Sequence, residues 1–330
     1  MKLASLRGTH RDGELIIVDR ALEHFVPAAD IAPTLQDALD RWQVVEPQLR
    51  AAAGELESAR PTKARRFDAR ACAAPLPRAY QWLDGSAYLH HVELVRKARG
   101  AEMPASFRTD PLMYQGGSDV LLGACDDAAF VSEEHGIDLE AEVAIVTDDV
   151  PLGVSAQASA AHVKLIVLVN DWSLRNLIAA ELAKGFGFLQ SKPATAFAAI
   201  AATPDELGSA WRDGKLHLPL VSQINGEELG RPNAGVDMSF SFYDLLAHAA
   251  RTRRLGAGTI LGSGTVANRD PARGCSCLAE RRTLEVLKYG SARTPFLKFG
   301  DRVRIEMLAD SGASIFGALD QQVVRSRAAH

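Results

Sequence analysis

Two glutamates inside an otherwise apolar run, Glu140-Ala141-Glu142 in IDLEAEVAIV, constrain the fold of this chain more than any other feature. Successive side chains on a strand alternate faces, so Glu140 and Glu142 share one face while Leu139, Ala141, Val143 and Ile145 fill the other. A second apolar run, VKLIVLVN, leads straight into Asn170-Asp171-Trp172-Ser173 and closes on Asp171. Carboxylates gathered on one small patch repel and raise each other's pKa unless a cation lies between them. Carboxylate oxygens alone suit Mg²⁺, Ca²⁺ or Mn²⁺ better than zinc. Two readings stay open at this point. Glu140, Glu142 and Asp171 are metal ligands, or the two glutamates are the solvated face of an edge strand, since charged residues are mostly exposed.

The texture of the chain changes once, at Pro75-Leu76-Pro77, where each proline removes a backbone donor and biases its predecessor away from helix. Residues 1–73 read as a small N-terminal α/β domain. A hairpin is expected from Lys2–Leu6 and Leu15–Val18, then a helix begun by Pro33-Thr34 with Leu35, Leu39 and Trp42 on one face. Residues 74–330 carry the short apolar runs DLEAEVAIV, VKLIVLVN, LPLVSQING, GTILGSGTV and DRVRIEML, separated by turns such as Asn225-Gly226. The expected class is α+β and β-rich. A length of 330 residues fits one large domain with a small one, and a formal charge of -4 gives no basic excess for nucleic acid. Cys72, Cys125, Cys275 and Cys277 include no C-x-x-C pair, so reduced thiols are expected. MKLASLRGTH lacks the apolar core of a signal peptide, and no run approaches the ~20 apolar residues of a membrane span. These readings point to a cytoplasmic protein that acts on a small molecule.

A third segment, QWLDGSAYLHHVELVRKARG, sets Asp84 ahead of a helix bearing Leu89, Val92 and Val95. If Asp84 lies just before the first helical turn, His91 sits about two turns along, within reach of a metal held by the aspartate. His90 and His91 differ by about 100° around the axis, so only one of them faces such a site.

In combination these blocks resemble the fumarylacetoacetate hydrolase family. The resemblance covers most of residues 75–325 and rests on Asp84…His91, DPLMYQGG (110–117), Glu140-Ala141-Glu142, NDWSLR (170–175), SKPAT (191–195), GSGTV (262–266) and FGDRVRIEM (299–307), in that order. It implies a mixed β-roll catalytic domain, a small N-terminal domain, a homodimer and one divalent cation per subunit, Mg²⁺ or Ca²⁺ with Mn²⁺ as an alternative. Carried over by position, it makes Asp84, Glu140, Glu142 and Asp171 the metal ligands and His91 the base, oriented by Glu280. It makes Arg175 and Lys192 the cations beside the substrate and Tyr114 a phenol in contact with it. Thr195, with Lys192, resembles a peripheral second-ion position.

The implied chemistry is hydrolysis of a carbon–carbon bond in a β-diketone, with fumarylacetoacetate as the first expectation. Two positions depart from the long-chain pattern: Ile178 stands where a glutamine is common, and Ser86 where a tyrosine is. Tyr88 and Gln190 are the nearest polar replacements. Acylpyruvate hydrolysis and oxaloacetate decarboxylation are the alternatives on the same metal site, and a non-catalytic binding protein is the alternative of another class.

Overall fold

The structure is a computed structural model that describes residues 1–59, 61–98 and 102–326. It opens on an antiparallel meander of β1 (Lys2–Leu6), β2 (Glu14–Val18) and β3 (His24–Pro27), which contains the expected hairpin. Thr34 caps α1 (Leu35–Asp40), its hydroxyl accepting from the Asp37 amide and so satisfying a donor that the helix start leaves over. The expected helix is two: the backbone leaves helical angles at Arg41, and α2 (Trp42–Ala59) starts beyond it. Leu35, Leu39 and Trp42 are buried all the same, because both helices pack on the meander.

Past the prolines follow β4 (Gln81–Gly85), α3 (Leu89–Ala98), β5 (Met113–Gly116), β6 (Ala128–Phe130), β7 (Ile137–Asp138), β8 (Ala141–Thr147) and β9 (Val163–Asn170). Then come β10 (Ser173–Leu174), α4 (Arg175–Leu182), β11 (Ala201–Ala202), β12 (Leu220–Ile224), β13 (Glu227–Gly230) and β14 (Thr259–Gly262). The last elements used here are α5 (Leu278–Tyr289), β15 (Arg302–Met307) and β16 (Leu319–Arg325). Each apolar run singled out in the sequence contributes a strand, but DLEAEVAIV is divided between β7 and β8, with Leu139 and Glu140 in neither. Asn225 and Gly226, both at positive φ, form the tight turn between β12 and β13. Residues 99–100 of the third segment and 327–330 of the second expected domain lie outside the described residues.

A large sheet runs β3-β2-β1-β11-β9-β8-β14-β4-β5, and a smaller one runs β13-β12-β15-β16-β6. The large sheet crosses the proline boundary, since β1 pairs with β11. β8 and β9 pack against strands of the smaller sheet. That is why VKLIVLVN is nearly apolar throughout: β9 is covered on both faces. The result is a mixed, sheet-rich α+β fold. Among the described residues no helix is long and apolar enough to cross a membrane.

Candidate active site

Strand register brings the acidic residues to one end of the large sheet. Asp84 on β4 lies opposite Tyr114 of β5 and Gly262 of β14, and Gly262 lies opposite Ala144 of β8. Glu142 pairs in register with Val169 of β9, and Asp171, just past the end of β9, donates its amide to the Glu140 carbonyl at 3.0 Å. Asp84, Glu140, Glu142 and Asp171 are all buried, each with a carboxylate oxygen within 4.8 Å of the others. The segment GSGTV makes room for them. A Cβ on Gly262 would fall 2.6 Å from Asp84 Oδ1, and Gly264, at φ 74°, donates its amide to that same oxygen at 3.0 Å.

One local expectation is corrected. Asp84 does not sit at the start of the helix but on a strand, where parallel pairing with β14 keeps residues 81–85 extended. α3 begins only at Leu89, so His91 lies in its first turn rather than two turns along. The sheet, not the helix, holds the aspartate.

Burial is the main cause of the site's electrostatics. It pushes the Asp84 carboxyl up to about 8, reinforced by Asp171, and lifts Glu142 well above the usual carboxylate range, reinforced by Asp84, Asp171 and Glu140. Glu140 goes the other way. Burial again raises it, but Arg175 and Lys192 outweigh burial and hold it below its ordinary value. Arg175 Nη2 donates to Glu140 Oε1 at 2.7 Å, while Lys192 Nζ donates to Glu140 Oε2 and, at 2.5 Å, to Asp171 Oδ2. Among the described residues, both oxygens of Glu142 are buried with no hydrogen-bond partner. A buried carboxylate in that state carries a desolvation penalty that the Lys192 charge offsets only in part. A hard divalent cation held by these oxygens answers the penalty and the mutual repulsion together, so the residues fit the metal that their sequence spacing suggested.

The remaining expected residues surround this cluster. His91 Nδ1 lies 2.6 Å from Glu280 Oε2, which α5 presents from its first turn. His90 does not line the inner cavity that His91 lines; burial, then Arg269, lowers its pKa, and Glu280 and Asp237 act against them. The Tyr114 hydroxyl donates to Asp171 Oδ2 at 2.6 Å, and the Thr195 hydroxyl to Asp171 Oδ1 at 2.7 Å. Thr195 and Lys192 therefore both contact the central cluster through Asp171. Tyr88 gives its hydroxyl to the Ala234 carbonyl at 2.5 Å, and Gln190 is exposed. Ser86 and Tyr88 both line the inner cavity described below, and Gln190 lines neither cavity.

Asp138 is the residue that the sequence reading passed over. Its Oδ2 accepts from Arg175 Nε at 2.8 Å and from the Ala279 amide at 2.9 Å, and its Oδ1 from the Leu278 amide at 2.7 Å. It ties the start of α5 to the start of α4, helped by the pairing of Ser173 with Asp138 between β10 and β7. The signal was in the same run, because Asp138 precedes Glu140 by two and shares its strand parity.

A cavity of about 130 Å³ opens onto Asp84, Glu140, Tyr114, Lys192, Arg175 and His91. It adjoins an outer cavity of about 580 Å³ between α3, α4 and α5. Ile178, one helical turn beyond Arg175 on α4, lines both.

Comparison with known proteins places this geometry. Residues 81–324 match the family model described as Fumarylacetoacetate (FAA) hydrolase C-terminal, and residues 1–78 match Fumarylacetoacetase N-terminal domain 2. The chain is similar in fold to fumarylacetoacetate hydrolase from psychrophilic Exiguobacterium antarcticum, at 16% identity and a TM-score of 0.67. It is similar to maleylpyruvate hydrolase from Sphingobium sp. SYK-6 in complex with manganese(II) ion and pyruvate, at 14% and 0.66. It is similar too to 5-carboxymethyl-2-hydroxymuconate delta-isomerase from Mycobacterium smegmatis, at 14% and 0.61. Each alignment covers 99% of this chain and 100% of the other. No curated protein sequence matches the chain.

Proposed function

We propose, from the premise that this chain belongs to the fumarylacetoacetate hydrolase family, that it hydrolyses a carbon–carbon bond in a β-diketo acid. The observation that carries the reading is one shared cavity: His91, backed by Glu280, opens onto the same space as Asp84, Glu140, Lys192 and Arg175. A protein that merely bound a metal and a ligand would have no use for a water-activating pair at that place.

Asp84, Glu140, Glu142 and Asp171 would hold the cation, with Mg²⁺, Ca²⁺ and Mn²⁺ as candidates. When bound, it supplies Lewis-acid polarisation of the diketo oxygens. His91 takes the proton from the attacking water, and its Nδ1 hydrogen bond to Glu280 orients the ring and stabilises the imidazolium that results. Lys192 and Arg175 put positive charge where the attacked carbonyl oxygen becomes anionic. His91 then returns a proton to the carbon that leaves as an enolate. Tyr114 and Thr195 fix Asp171 from both of its oxygens, which keeps that carboxylate pointed into the cluster.

Fumarylacetoacetate is the first substrate to assay, by loss of its ultraviolet absorbance with purified protein and Mg²⁺ or Mn²⁺. Turnover of acylpyruvates or oxaloacetate in place of fumarylacetoacetate keeps the metal site and changes the substrate. Silence with all three, under conditions where the cation is shown to bind, overturns the reading in favour of a binding protein. The homodimer belongs to the same proposal, and sedimentation as a monomer at assay concentration would reject it.

A further inference from the structure

The inner cavity, at about 130 Å³, has room for the reacting diketo unit and little else. The rest of a bound substrate extends into the outer cavity of about 580 Å³. Ser86, His91, Val92, Arg175, Ile178 and Phe188 line both spaces, and Val92, Ile178 and Phe188 form the apolar side of the passage between them. Beyond that passage the wall goes on as Val95, Leu112 and Val286.

Of the cations along this wall, Arg175 is paired with carboxylates, and Arg282 and Arg96 are placed by backbone carbonyls and phenyl rings. Arg175 is held by Asp138 and Glu140. Arg282 donates to the Thr294 carbonyl and lies 4.1 Å over the Phe296 ring. Arg96 donates to the Glu102 carbonyl at 2.8 Å and lies 5.5 Å from the Phe107 ring centroid. Against the apolar side of the passage a carboxylate loses its water, whereas a hydrocarbon gains from the same burial.

We propose that the outer cavity receives an apolar acyl substituent, so that the substrate is a β-diketo acid whose acyl group R is branched alkyl or aryl rather than a chain ending in a second carboxylate. The proposal rests on the hydrolase reading above. For a 2,4-dioxo acid, R–CO–CH₂–CO–COOH, water adds its oxygen to the carbonyl carbon bearing R, and the bond from that carbon to the methylene breaks. The electron pair stays on the methylene carbon, which takes up a proton. The products are R–COOH and pyruvate.

The test is kcat/KM of the cation-loaded wild type on 2,4-dioxo acids with R as methyl, propyl, isobutyl, phenyl and carboxyvinyl. Each added methylene should raise it about fourfold until the cavity is filled. Phenyl should exceed carboxyvinyl by about tenfold or more. Val286→Lys, which sets a charge in the outer wall, should move that ratio toward carboxyvinyl by about tenfold. Turnover with a flat series, with carboxyvinyl preferred, or with a ratio unmoved by Val286→Lys overturns the tail assignment and leaves the hydrolase reading standing. No turnover of any of these acids or of fumarylacetoacetate overturns both.

Discussion

His91 Nδ1 and Glu280 Oε2 meet at 2.6 Å although the two residues stand 189 positions apart in the chain. Packing of α3 on α5 closes that distance, and Asp138 pins the start of α5 by accepting two of its first amides. The orientation of the base therefore depends on a helix terminus that is itself held from the acidic strand. Removal of the imidazole should lower kcat by about 10²–10⁴, the usual worth of a positioned base. Glu280→Gln should have a smaller effect, and His90→Ala should stay within a few-fold of wild type. Steady-state kinetics at saturating substrate decides, and a larger loss at His90 than at His91 would mean that the wrong face of α3 has been assigned.

Glu142 is the ligand whose replacement separates metal binding from folding. Because both of its oxygens are buried without partners, Glu142→Gln should relieve repulsion in metal-free protein while weakening the cation site. We expect the rise in Tm that Mn²⁺ or Mg²⁺ gives the wild type over its EDTA-treated form to shrink or vanish in the variant. Wild-type metal affinity in Glu142→Gln, measured by calorimetric titration, would remove Glu142 from the ligand set.

Asp138→Asn keeps the shape but loses the charge that faces Arg175. The expected cost is about 1–3 kcal/mol of stability, because a buried donor network loses a charged acceptor. Denaturant unfolding reads that figure. Activity should drop through Arg175 as well, and an unchanged unfolding midpoint with full activity would show that the contact is idle.

Glu181 offers a pH-dependent test. It accepts the amides of Leu189, Gln190 and Ser191 and the Ser191 hydroxyl, and so holds the turn that leads into Lys192. Burial is the strongest influence on its carboxyl and pushes it up. Ser191 and the three amides outweigh burial and keep it at about 2, against an ordinary 4.5. A depressed folded-state value means that the carboxylate stabilises the fold above pH 4.5 and that this contribution fades as pH falls toward 2. Glu181→Gln should therefore destabilise the protein near neutrality and narrow the gap from wild type in strong acid. A constant gap across that window would reject the assignment.

Ile178→Gln probes the passage between the two cavities. An amide left without a partner there when an apolar acyl group is bound should lower kcat/KM on such a substrate by about 5- to 150-fold, the equivalent of 1–3 kcal/mol. On fumarylacetoacetate the same change should help, up to about tenfold, if the amide bonds the substrate. A gain on both substrates would argue against an apolar demand at this position.

Much of the fold was legible because strand periodicity and turn chemistry are local. The runs that became β8, β9, β12, β14 and β15 carry their own pattern, and Asn225-Gly226 marks a turn through its positive φ angles alone. The same periodicity points to Glu140 and Glu142 as neighbours, which they are although Glu140 lies just before β8, and Asp138 was readable by the same parity. What local pattern could not supply was register. Nearness in sequence to the following helix suggests Asp84 at a helix start, yet pairing with Gly262, far along the chain, keeps it extended. The meeting of His91 with Glu280, the joining of β1 to β11 and the apolar passage at Ile178 all depend on which distant segments pack together. The sequence by itself determined the kinds of side chain available for the chemistry. Only tertiary packing decided how they converge, because convergence is set by contacts between residues whose separation in the chain leaves no periodic trace.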